Sequence, residues 1–223
     1  MALTHFAISQ SCLLCRQDSL ALICPFCQDD LALFDWQKYQ YNLLNWPQAK
    51  RGLKNFNSLQ LLALADYQWP WSSLLTGLKF SSKLPHAKIL AQLFVQQLLS
   101  SPRPFPEAIV PVPLHSSRYR QRKFNQSIEI AKHMAALIPI PMDTSFISRV
   151  KATVAQTELS AAKRKANLKD AFALHHAPHY KHIVLFDDVV TTGATMNAMF
   201  GLLKRHCPAL QIDVWCICLT LEH

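Results

Sequence analysis

The 223-residue sequence predicts an α/β fold: a parallel sheet flanked by helices, with a small four-cysteine module ahead of it. Three observations carry that reading. Short apolar runs alternate with stripes of apolar residues at helical spacing. Residues 183–186 (Ile-Val-Leu-Phe) form an unbroken apolar run, as suits a strand buried on both faces, and lead into Asp187-Asp188 and a hydroxyl-rich turn. Near the N-terminus, the Cys-x-x-Cys pairs Cys12/Cys15 and Cys24/Cys27 stand eight residues apart.

Each cysteine pair suits a tight turn whose two thiolates face one ion, and two such turns complete a tetrahedral four-thiolate site. With all four positions filled by protein, that site is structural and its expected metal is zinc. Iron shares the ligand set. A redox Cys-x-x-Cys is the competing reading, but it needs only one pair. Residues 30–45, rich in Leu and aromatics, predict a helix ended by Asn45-Trp46-Pro47. Three units follow from this pattern: a cysteine module plus helix over 1–45, a linker over 46–58 and a sheet domain over 59–223.

Within the sheet domain, residues 59–65 predict the first strand. Ala87, Leu90, Ala91, Phe94, Val95 and Leu98 form a helical stripe, and residues 109–112 the next strand. A second stripe is Ile128, Ala131, Met134, Ala135 and Ile138, and a third, directly after the run at 183–195, is Met196, Met199, Phe200 and Leu203. Residues 210–219 close the sheet. There Cys216 and Cys218 read as core thiols, and Trp215 as either core or a stacking surface.

Half the residues are hydrophobic, so a substantial core is available, yet no apolar run approaches the ~18 residues of a membrane span. The first residues lack a basic segment followed by a long apolar one, which predicts no secretory signal and a cytoplasmic protein. Seven cysteines, an odd number, argue against a disulfide framework. The net charge of +9 is concentrated: residues 115–170 hold eleven Lys/Arg against four Asp/Glu. Such a stretch points to a polyanionic partner, pyrophosphate or nucleic acid, or else to a solvated basic face.

Asp187 and Asp188 are expected at the carboxyl end of their strand, where open α/β sheets bind ligands. Thr191 to Thr195 then present backbone N–H groups and hydroxyls to a phosphate at a helix N-terminus. The run 183–195 (Ile-Val-Leu-Phe-Asp-Asp-Val-Val-Thr-Thr-Gly-Ala-Thr) closely resembles the signature of type I phosphoribosyltransferases, the loop that binds phosphoribosyl pyrophosphate (PRPP). The resemblance implies that Asp187 and Asp188 hold the ribose hydroxyls. It also implies that Thr191, Thr192, Gly193, Ala194 and Thr195 wrap the 5′-phosphate. Some regulators keep this loop and bind PRPP without turning it over.

Three further patches extend the likeness. They are Val110-Pro111-Val112-Pro113-Leu114-His115 with Arg118, Arg122 and Phe124-Asn125-Gln126-Ser127; Arg149 with Gln156 to Ser160, Arg164 and Asn167; and Tyr67 through Gly77-Leu78-Lys79-Phe80. With the cysteine pairs they resemble, in this order, the ComF/GntX family of phosphoribosyltransferase-like proteins. The resemblance implies a phosphoribosyltransferase-like domain over 59–223, with pyrophosphate held by the loop at 112–122. Arg118 and Arg122 offer forked donors to its oxygens there. It also implies a basic lid at about 153–169 bearing Lys163, Arg164 and Lys165; an exposed basic helix is the alternative for that stretch. Mg2+ accompanies the ligand, and the expected activity is phosphoribosyl transfer to an unidentified acceptor. A non-catalytic PRPP sensor or single-stranded-DNA-binding adaptor is the rival, with single-stranded DNA or DNA-uptake proteins as partners, since the family name derives from competence for DNA uptake. His115 reads as a substrate contact or a cap. Lys123 stands where the family usually has glycine, and a positive φ there would strain the loop.

Overall fold

The computed structural model describes residues 10–53, 56–81, 83–151 and 170–221. It opens with an antiparallel pair of two-residue strands, β1 (Gln10–Ser11) and β2 (Asp18–Ser19), and a short helix, α1 (Pro25–Asp29). Pro25 starts α1, a position where a missing N–H loses no hydrogen bond.

The helix expected over 30–45 does not form. Residues 31–42 run as extended backbone and turns, followed by one tight helical turn at Leu43–Asn45. Gln40 and Tyr41 hold φ of 54° and 56°, which a right-handed helix excludes. The apolar residues there serve tertiary contacts instead. Trp36 and Leu43 are buried, and Trp36 Nε1 donates to Ala63 O at 2.7 Å. Nor is the stretch from Lys50 a plain linker: α2 (Pro47–Gly52) begins at the proline expected to end the helix, and Ala49 and Leu53 are buried. Phe34 N donates to Leu64 O at 2.9 Å, so this segment covers the outer edge of β3 (Leu61–Asp66), an edge that would otherwise present unpaired backbone.

After β3 come α3 (Trp71–Ser81) and α4 (Leu84–Leu98), then β4 (Ala108–Pro111). Helices α5 (Ser116–Arg122) and α6 (Gln126–Ala135) precede an antiparallel hairpin of β5 (Ile147–Arg149) and β6 (Phe172–Leu174). That hairpin brackets residues 152–169, so the expected lid with Lys163, Arg164 and Lys165 lies outside the described residues. Strand β7 (His182–Val190), helix α7 (Ala194–His206) and strand β8 (Gln211–Leu219) are the last elements among the described residues. The sheet order is β3-β8-β7-β4 and every pairing is parallel. A parallel sheet flanked by helices is the class the sequence predicts.

Parallel sheets are stable when covered on both faces, and the aromatic residues do much of the covering. Phe94 of α4 meets the rings of Trp36, Phe186 and Trp215 at centroid distances of 5.2, 6.4 and 5.5 Å. Each such buried ring contributes about 1.5–3 kcal/mol by area. Trp215 is therefore core, not a stacking surface, and Cys216 and Cys218 are core thiols whose pKa burial raises. Gly77 lets α3 and α4 approach: a Cβ there would lie 2.6 Å from His86 Cε1, while His86 Nδ1 sits 2.7 Å from Leu74 O. No helix among the described residues is long and apolar enough to cross a membrane.

Candidate functional site

β7 runs further than the apolar run alone suggests. Its pairing with β8 continues through Asp187↔Cys216 to Val190↔Leu219, so both carboxylates stand within the strand, near its carboxyl end. Alternation sends the two side chains to opposite sides, and a different helix meets each. Ser127 Oγ, at the start of α6, donates to Asp187 Oδ1 at 2.8 Å, and the Asp188 backbone N–H donates to the same oxygen at 2.9 Å. Asp188, 8% exposed, forms an ion pair through Oδ2 with Lys79 Nζ from the last turn of α3. Burial and then the charge of Asp188 push the Asp187 carboxyl up to about 7. Burial opposes the charge on Lys79, but Asp188 and then Asp187 outweigh it and the ammonium's pKa is raised.

The turn after β7 leads straight into α7. Thr191 and Thr192 are exposed, Gly193 is buried, and Ala194 and Thr195 are half-buried. Gly193 holds φ +72°, and a Cβ on it would lie 2.5 Å from Phe56 Cδ2. The region after α2 thus forms a floor under the loop and admits only glycine. No side chain among the described residues caps α7, and an uncapped helix N-terminus presents first-turn N–H groups that favour an anion.

The opposite wall comes from the chain after β4. Asn125 Nδ2 donates to Val112 O at 2.9 Å, while Asn125 Oδ1 accepts from Ser127 N at 2.9 Å. This ties the loop to the start of α6 and aims Ser127 at Asp187. Arg118 and Arg122 of α5 line the same cleft, about 880 Å³ in volume, with Lys79, Asp187, Asp188 and the turn at 191–195. The Arg122 guanidinium lies 5.3 Å from the centroid of the exposed Phe80 ring, a cation–π arrangement. His115 is a cap: its Nδ1 accepts from Ser117 N at 3.2 Å. Lys123 ends α5 at φ 66°, so the chain keeps the left-handed turn without the glycine that favours it. Lys123→Gly should therefore raise stability by ~1 kcal/mol in a denaturant titration. An unchanged midpoint would show that the turn is unstrained.

The four cysteines come together as expected. Their sulfurs all lie within 4.8 Å of one another, and Cys15 Sγ is 3.7 Å from Cys24 Sγ. Four thiolates around one tetrahedral ion at a ~2.3 Å bond length stand ~3.8 Å apart, so the donor set fits a metal. Cys12 and Cys24 are buried, Cys15 is exposed, and Cys24 N donates to Cys12 Sγ at 3.4 Å, which ties the second cysteine pair to the first.

Lys79 and Ser127 were not singled out as site residues by the sequence reading, although both stand in patches it quoted. A lone lysine closing the apolar stripe Leu74, Leu75, Leu78 was the available signal for Lys79. Arg149 also lines the cleft, its guanidinium 5.5 Å from the Phe172 ring.

No protein-family model matches the chain. It is 42% identical over 166 residues to the DNA utilization protein YhgH of Salmonella typhi, covering 73% of each chain. The Escherichia coli K12 protein of that name is 39% identical over the same share. Competence protein F of Haemophilus influenzae is 33% identical over 163 residues, 70% of this chain and 71% of that one. Among solved structures, an adenine phosphoribosyltransferase from Leishmania tarentolae superposes with a TM-score of 0.40 at 16% identity, over 72% of this chain and 76% of the other.

Proposed function

The chain belongs to the family of DNA utilization protein YhgH and competence protein F, and from that premise we propose that its cleft binds PRPP and passes the phosphoribosyl group to an acceptor. One observation carries the reading: paired carboxylates at the end of β7 share a cleft with an uncapped helix N-terminus and with Arg118 and Arg122. The turn 191–195 takes the 5′-phosphate through its N–H groups and hydroxyls. Asp187 and Asp188 accept hydrogen bonds from the ribose hydroxyls, and the arginines hold the diphosphate. The bond from C1 to the diphosphate oxygen breaks with its electron pair leaving on pyrophosphate, and an acceptor lone pair forms the new bond to C1. Positive charge builds on the ribose ring during this step, as in glycoside cleavage. The arginines act on the departing charge, and the carboxylates fix the ring; both are positioning and electrostatic effects. Mg2+ bound with the ligand would supply further neutralisation of the departing diphosphate. Cys12, Cys15, Cys24 and Cys27 hold a structural zinc, and seven cysteines without a disulfide among them suit a reducing compartment such as the cytoplasm.

Titration calorimetry with Mg·PRPP tests binding, and a pyrophosphate-release screen across bases and amines tests turnover. The absence of heat with Mg·PRPP overturns the reading. Binding without release across the screen favours a PRPP sensor. A second reading rests on the relatives' names and on the charge of residues 115–170: a single-stranded DNA contact on the arginine wall. Such binding should fall steeply with salt, because it draws on charge more than stacking. Saturating Mg·PRPP should weaken it in a fluorescence-anisotropy titration. DNA affinity indifferent to Mg·PRPP would place that contact elsewhere.

A further inference from the structure

Lys79 is positioned to do more than neutralise Asp188. Its ammonium ends α3, where a helix C-terminus favours positive charge. Its side chain is 18% exposed and that of Asp188 11%, so the pair is largely shielded yet opens into the cleft. Asp187 and Asp188 both raise its pKa, so a full positive charge sits there. A vicinal diol binds a carboxylate with one hydroxyl on each oxygen. Lys79 holds Oδ2, one of the two oxygens such a diol needs. Diol and ammonium therefore compete for one atom, and an ammonium displaced from it remains in the cleft beside Arg118 and Arg122.

Resting on the PRPP reading above, we propose that Lys79 is an exchangeable counter-ion: it neutralises Asp188 until a ribose diol takes that carboxylate, and then carries its charge to the ligand's diphosphate. A flexible four-carbon stem with a compact, rotatable charge suits such a transfer better than a rigid guanidinium would. The ligand thereby assembles part of its own anion site, and the two halves of PRPP become coupled.

The test uses those halves separately. In the wild-type protein, ribose 5-phosphate should tighten Mg·pyrophosphate binding by roughly 5-fold or more, and pyrophosphate should tighten ribose 5-phosphate by the same factor. Lys79→Met should abolish the coupling. It should also tighten ribose 5-phosphate alone while weakening Mg·pyrophosphate, measured with saturating ribose 5-phosphate, by roughly the 5-fold or more that the coupling supplied. Lys79→Arg should keep pyrophosphate affinity. A purely structural ion pair would weaken both halves together. That result, or independent binding of the two halves in the wild type, overturns the proposal while leaving the PRPP reading intact. A wild-type protein that binds neither half nor PRPP itself overturns the reading of the cleft and this proposal with it. The wild-type coupling needs no variant to fold.

Discussion

Stripping the metal from the four-cysteine cluster is expected to unfold the N-terminal module. Its secondary structure is slight: its strands are two residues each and α1 buries no residue. Segments this small rarely bury enough apolar surface to stay folded without a staple. Structural zinc supplies about 10–16 kcal/mol of apparent binding free energy in small zinc-dependent domains, far more than any single contact here. Purified protein should carry about one zinc ion per chain by elemental analysis. Cys12→Ser or Cys27→Ser should lose it, along with the protection of amides around Cys12 and Cys24 from hydrogen exchange. Chelation should reproduce the effect in the wild type. Metal-free protein with an unchanged thermal melt would sink the assignment. Cys12, Ile23 and Cys24 belong to the same buried cluster as Trp36 and Leu53. Leu53 and Phe56 in turn pack beneath Gly193, so the loss should also loosen the turn at 191–195. A parallel drop in Mg·PRPP affinity is therefore part of the expected result.

The sheet was legible because each of its strands is a property of adjacent residues. Residues 183–186 and 214–219 are apolar without interruption, and both lie in strands buried on two faces. The turn at 191–195 was legible for the same reason, since glycine, hydroxyls and carboxylates stand in one local order. The failures share a different cause. Residues 30–45 have a helix-like composition, but Trp36 is claimed by Ala63 O and Phe34 by the edge of β3, and these contacts override local preference. Lys79 and Ser127 reach the carboxylates from α3 and α6, so their roles exist only after the helices pack on the sheet. Lys123 lies between the two cases. The family resemblance marks Lys123 as a position where a positive φ would be strained, and the backbone does turn left-handed there, as it also does at Arg16, Gln40, Tyr41 and Asp170.

Asp187→Asn should stabilise the protein in alkaline solution and abolish its response to PRPP. Asp187 carries its carboxyl at about 7, raised by burial and by Asp188, against an ordinary value of 3.8. Between those two values the native protein holds a proton that the unfolded chain releases. Stability therefore falls as pH rises through this window, by up to ~1.4 kcal/mol per pH unit, and levels off above about 7. The asparagine variant has no such proton to lose. It should melt with the wild type near pH 4 and above it near pH 8, with a flat profile between as far as this residue is concerned. Binding should move the other way. At about 100 times its Kd, a ligand selective for the native state adds ~2.7 kcal/mol, or roughly 5–10 °C for a chain of this size. Mg·PRPP should produce that rise in the wild type at pH 8, whereas Asp187→Asn should show little of it because one diol acceptor is gone. An amide keeps the shape and can still meet Ser127, so a gross loss of fold is not the expected route. A variant that melts below the wild type at pH 8 would show that Asp187 is not a destabilising charge. A variant that keeps the full ligand-induced rise would show that PRPP sits elsewhere. Opposite signs on stability and binding from one carboxyl-to-amide change are the mark of a charge retained for its ligand at a cost to the fold.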